Sequence, residues 1–157
     1  MASPTDILIE SGPALPEEPV ILTITLPSGL SGGFYVNGEQ KAVLEFVKGA
    51  TYVFNQSHIS NSSHPLGLSS IFEGVTLDGL TYYINGSPYS AAAYNYYLTN
   101  SASTFYSFEI HYTVPEDAPD TLYYFCQVHT GLGSTVSVSS PGSGGSLTIT
   151  ENETGVI

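Results

Sequence analysis

From Val20 onward the chain is cut by Gly, Asn and Pro into short runs of β-branched and aromatic residues. Ile21-Leu22-Thr23-Ile24-Thr25-Leu26 alternates apolar residues with threonine, the pattern of a half-buried strand. Phe34-Tyr35-Val36 runs into Asn37-Gly38, two residues that take positive φ readily and close a tight hairpin, so Lys41–Val47 reads as its return strand. Thr51–Asn55, Leu80–Ile84, Tyr106–Val114, Thr121–Cys126, Ser134–Ser139 and Leu147–Thr150 continue the series. Residues 57–70 read as a polar loop, and residues 87–103 hold at most a short helix around Ser90–Tyr97. Strands this short, spaced by turn residues, predict an all-β chain: a Greek-key β-sandwich of about seven or more strands.

The charge pattern excludes whole classes of partner. Two lysines, Lys41 and Lys48, are the only basic side chains apart from histidine, and the formal net charge is -12. Such a polyanion gains nothing by displacing counterions from phosphates, so nucleic acid is not expected as a partner. Anionic membrane surfaces repel it in the same way. The single cysteine, Cys126, has no intramolecular disulfide partner, and the first residues lack the basic and apolar regions of a signal peptide. Synthesis in a cytoplasm without export is therefore expected. On that expectation the Asn-x-Ser/Thr sites at Asn55, Asn61, Asn85 and Asn152 carry no glycan.

Three segments follow. Residues 1–20, acidic and holding four prolines, read as an extended N-terminal arm. Residues 21–140 form the sandwich. Residues 141–157 begin with the linker Pro141-Gly142-Ser143-Gly144-Gly145-Ser146 and end in a strand or tail.

His64, Cys126 and His129 stand out as candidate metal ligands. Cys126-Gln127-Val128-His129 leaves an aromatic strand, and Thr130-Gly131-Leu132-Gly133-Ser134 leads into the next one. A turn of this kind holds a thiolate and an imidazole close together. A histidine from a distant loop then completes a Cys/His/His set, the donor set of blue-copper sites. Such sites usually add a weak axial methionine, and the only methionine here is Met1. His111 lies mid-strand and reads as structural. No nucleophile triad, phosphate loop or paired-carboxylate signature is present, so no catalytic residue is assigned and an enzyme is not expected.

Cys-x-x-His followed by Gly-x-Gly before a valine-rich strand resembles the ligand loop of small cupredoxins. Gly49-Ala50-Thr51-Tyr52-Val53-Phe54-Asn55, with His64 beyond it, resembles the cupredoxin strand that leads to the first histidine ligand. A closer resemblance is to cupredoxin-like domains of predicted virion proteins in marine bacteriophages, cyanophages especially. It is carried by Thr51–Ser57, Ser60–Leu66, Thr81–Gly86 and Leu122–Gly133, in that order, within residues 33–139. This chain reads Gly131-Leu132-Gly133 where that group usually has Gly-Met-Gly, and Ser134 lies near the place of the axial methionine in typical cupredoxins. His58 stands where the group more often has an acidic residue.

The resemblance implies a cupredoxin-like fold, with His64, Cys126 and His129 as copper ligands if copper is bound. It also implies a non-enzymatic virion structural protein, such as a capsid decoration or an appendage (knob or fibre) protein. The expected partners are other virion proteins and further copies of the chain in a homo-oligomer. Two alternatives stand beside it. One is a small copper-binding electron-transfer protein. The other is a glycan-binding module, suggested by the Tyr- and Asn-rich loops, which could bind a host-surface glycan from within an appendage.

Overall fold

A computed structural model describes residues 12–100 and 106–142. It is all-β apart from one helix and two single 3-10 turns. The strands are β1 (Val20–Thr25), β2 (Tyr35–Val36), β3 (Glu39–Gln40), β4 (Leu44–Val47), β5 (Thr51–Asn55), β6 (Leu66–Ser69), β7 (Leu80–Ile84) and β8 (Ser87–Tyr89). The helix α1 (Ala91–Asn100) precedes β9 (Phe108–Thr113), β10 (Thr121–Cys126) and β11 (Ser134–Ser139). They form a seven-stranded sheet, β3-β2-β1-β5-β9-β7-β8, and a four-stranded sheet, β4-β11-β10-β6. The chain changes sheet after β3, β4, β5, β6 and β9, which gives the expected sandwich with crossover connections.

Both Asn-Gly pairs turn hairpins. Asn37 and Gly38 have φ of 50° and 85°, and Asn85 and Gly86 have φ of 51° and 81°, the doubly positive turn whose twist matches paired strands. The first hairpin is shorter than the sequence predicts. Lys41 has a φ of 46° and ends the ladder, so Lys41–Val47 is not one return strand. Residues 44–47 instead enter the other sheet, where β4 pairs in parallel with β11. Alternation shows which side chains face inward, and Leu44, Phe46 and Val47 are buried, but it does not choose between two sheets that share one core.

Residues 66–69, expected in a loop, form β6, every residue of which is buried. The short helix extends to Asn100, past the predicted Tyr97. Its first turn is capped by Ser90, whose hydroxyl accepts the Ala93 amide at 3.1 Å, and Tyr94 and Leu98 form its buried face. Residues 12–19 precede β1, and the Pro13 carbonyl accepts the Gly142 amide at 3.0 Å. Residues 1–11 of the expected arm and the expected strand Leu147–Thr150 lie outside the described residues.

The core lies between the sheets. Phe46 stacks on Tyr52 with ring centroids 3.8 Å apart, and the Tyr52 hydroxyl accepts the Val47 amide at 2.8 Å. The buried Tyr124 hydroxyl donates to the Ala42 carbonyl at 2.7 Å, which ties β10 to the segment before β4. Tyr124→Phe leaves that carbonyl without its donor and is expected to cost about 1–3 kcal/mol. Thermal melting checks this; an unchanged Tm would mean that the Ala42 carbonyl needs no partner.

Candidate metal centre

Strand pairing brings the three sequence-predicted ligands to one end of the four-stranded sheet. Cys126 is the last residue of β10, and Leu66, the first of β6, is its register partner. The Gln127 amide donates to the Pro65 carbonyl at 2.9 Å, which carries the contact one step past the strand ends. His64 stands just before Pro65, and His129 lies three residues after Cys126 in the turn to β11. A histidine 62 positions from the cysteine therefore reaches the same corner.

Cys126 Sγ is 3.8 Å from His64 Nδ1 and 3.7 Å from His129 Nδ1. One donor atom from each residue lies within 4.8 Å of the others. The imidazole rings are 4.9 Å apart between centroids and inclined at 43°. Metal bonds to nitrogen and sulfur of about 2.0–2.3 Å place two donors of one ion about 3.5–4 Å apart. The two sulfur–nitrogen spacings meet that requirement, and one thiol with two imidazoles suits copper. Among the described residues this is the only group of three or more His, Cys, Asp or Glu side chains arranged to hold a metal.

Cys126 is 3% exposed, while both histidines are half-buried. Burial pushes the Cys126 thiol above its ordinary range; amides of Val128 and His129 oppose the rise, and the Glu73 carboxylate adds to it. Burial, and then repulsion from His129, lowers His64, which favours the neutral imidazole that binds metals. A cation between the donors would reverse the preference of the thiol, because metal coordination deprotonates it. The turn holds no methionine, and its Leu132 is buried.

The loop that carries His64 is held by side chains that sequence reasoning missed. Gln56, fully buried just after β5, donates from Nε2 to the His64 carbonyl at 2.8 Å and to Asn61 Oδ1 at 3.2 Å. Its Oε1 accepts the Leu66 amide at 3.2 Å and the Tyr94 hydroxyl at 3.1 Å. Burial holds the Tyr94 phenol well above its ordinary range, so it stays protonated and donates. Asn61, also fully buried, donates to the Ile24 carbonyl at 2.7 Å; a glycan on this asparagine is incompatible with the folded chain. Nothing in a single sequence separates these polar residues from the Ser- and Asn-rich stretch around them.

His58 and His111 lie outside the group. His58 caps the 3-10 turn Ile59–Asn61 through Nδ1, which accepts the Ser60 amide at 3.2 Å. His111 meets Glu109 at 2.9 Å and packs on Tyr83, consistent with a structural residue of β9.

No family model matches the chain, and no curated protein matches it. Among solved structures it is similar to rusticyanin from Thiobacillus ferrooxidans, with 17% identity over 77% of this chain and 76% of that one, at a TM-score of 0.47. A structure of reduced rusticyanin gives 15% identity over 80% and 83% of the two chains, with a TM-score of 0.48. A multi-copper oxidase from Pseudomonas thermotolerans gives 12% identity over 83% of this chain and 34% of that one, with a TM-score of 0.43. By its own strand order the chain is an all-β sandwich of a seven-stranded and a four-stranded sheet.

Proposed function

We propose that this domain binds one copper ion through His64, Cys126 and His129 and serves one-electron transfer, with no catalytic turnover of a substrate. The observation that carries the reading is the convergence of one thiol and two imidazole donors within 4.8 Å of one another. Copper bound there would supply a one-electron change between its two oxidation states. The protein supplies the rest. The sandwich fixes Cys126 on the end of a paired strand, the Gln56 network fixes the His64 loop, and the half-buried histidines leave an edge of the site open to a redox partner. Burial of Cys126 shields its sulfur from solvent oxidants.

Titration of the purified metal-free chain with Cu(II) tests this. The expected result is an intense visible band near about 600 nm that saturates at one equivalent and disappears in Cys126→Ser, since thiolate-to-copper charge transfer needs the sulfur. A colourless complex, or a band that persists in Cys126→Ser, would overturn the reading. A zinc site on the same donors would give no visible band.

The virion assignment is the finer part of the proposal. It rests on the sequence resemblance and on an acidic chain that stays soluble at high local concentration. In that setting the domain decorates a capsid or sits on an appendage as a homo-oligomer against other virion proteins, where it could meet a host-surface glycan. Mass spectrometry of purified particles decides it: absence of the chain from the particle sinks this assignment and leaves the copper reading untouched.

A further inference from the structure

The turn that carries His129 is gripped from outside by an acidic side chain. Between β6 and β7, Ile71-Phe72-Glu73-Gly74 forms a tight turn, in which the Gly74 amide donates to the Ile71 carbonyl at 3.1 Å. Phe72 packs edge-on against Tyr123 of β10, with ring centroids 6.0 Å apart, and the Ile71 amide donates to Ser69 Oγ at 3.2 Å. The loop is thus pinned at the edge of the ligand sheet. Glu73 then takes a φ of 48°, a left-handed conformation that glycine or asparagine adopts far more readily than glutamate. A backbone outlier of this kind persists only where its surroundings impose it. Here the contact that accompanies it is a hydrogen bond of 2.6 Å from the Gly131 amide to Glu73 Oε2, across 58 residues. Gly131 is itself left-handed, with a φ of 80°, and lies two residues past His129.

We infer that Glu73 is a positioning residue of the metal centre: its carboxylate clamps the amide of Gly131, which fixes the ligand turn carrying His129, and its negative charge favours the oxidised state of a bound copper ion. The inference rests on the copper reading above. Its two parts have separate physical grounds. The clamp is a charge-assisted hydrogen bond, stronger than one between neutral groups. The charge acts through space on the same corner, because the amide it holds lies two residues past His129. A negative charge stabilises Cu(II) over Cu(I), because the former carries one more positive charge.

Two variants of the full chain separate the parts. Glu73→Gln retains a carbonyl acceptor without the charge, and Glu73→Ala removes both. Hydrogen exchange at the Gly131 amide, measured on the metal-free protein, reports the clamp without any copper. It should accelerate about tenfold or more in Glu73→Ala and by a smaller factor in Glu73→Gln, whose neutral carbonyl makes a weaker bond, at roughly 1.4 kcal/mol per tenfold. The midpoint potential of the copper-loaded protein, read from its visible band, should rise in both variants. Unchanged Gly131 exchange in Glu73→Ala overturns the clamp, and an unchanged potential in Glu73→Gln overturns the electrostatic role. A parent protein that forms no coloured copper complex overturns the underlying copper reading instead, so the two failures are told apart by the parent alone.

Discussion

Gly133→Ala is expected to abolish cooperative folding. Gly133 sits immediately before β11, where Ser134 is the register partner of Tyr124 in β10. A Cβ at position 133 would overlap the carbonyl oxygen of Tyr124 and come within 2.9 Å of the Phe125 Cα. These are backbone atoms of a strand paired on both sides, to β6 and to β11, so they cannot withdraw without opening one of the ladders. Opening β10 from β11 exposes Leu122, Tyr124 and Val136, each at most 1% exposed in the fold. Loss of more than about 5 kcal/mol follows, which exceeds the stability of many small domains. The measurement is thermal unfolding by near-ultraviolet circular dichroism, with Gly38→Ala as the control. Gly38 has a φ of 85° but open space around it, so alanine there should cost only about 1–2 kcal/mol of backbone strain. A Gly133→Ala protein that melts within a few degrees of the parent would show that β10 and β11 do not meet as described.

Gln56→Leu should have the next largest effect, on stability and on metal uptake together. The amide of Gln56 makes four hydrogen bonds, with Asn61, His64, Leu66 and Tyr94, and so uses the full capacity of its oxygen and nitrogen. Leucine fills similar space and leaves all four groups short of a partner, those of Asn61, Leu66 and Tyr94 in buried contacts. Each buried orphan costs about 1–3 kcal/mol, and partial relaxation brings the total to about 4 kcal/mol. For a chain of this length that lowers Tm by roughly 10 °C. The His64 loop, released from Gln56, should also bind Cu(II) more weakly even at temperatures where the variant is folded. Melting of the metal-free variant followed by copper titration separates the two effects. A Tm within about 2 °C of the parent would show that the network is not intact in solution.

What the sequence determined by itself is local. Asn37-Gly38 and Asn85-Gly86 specify their turns through backbone conformations that other residues resist. Thr121–Cys126 and Ser134–Ser139 were legible as strands residue for residue, because β-branched and aromatic side chains fill a pleated, half-buried surface. The spacing of Cys126 and His129 is local too, and a turn over those three residues brings their donors within reach of each other. Tertiary structure decided the remainder. Pro65-Leu66-Gly67-Leu68-Ser69 carries weak strand propensity, and it becomes β6 because β10 offers an unpaired edge and the Phe125 ring lies where a side chain on Gly67 would be. Leu44–Val47 has an apolar pattern that suits either sheet, and only the parallel pairing with β11 assigned it. His64 was marked by residue type and by resemblance, but its approach to Cys126 depends on the β6–β10 register. Gln56, Asn61 and Tyr94 gave no signal at all, since the worth of a buried hydrogen bond depends on which groups meet once water is gone, and that is a property of the folded interior.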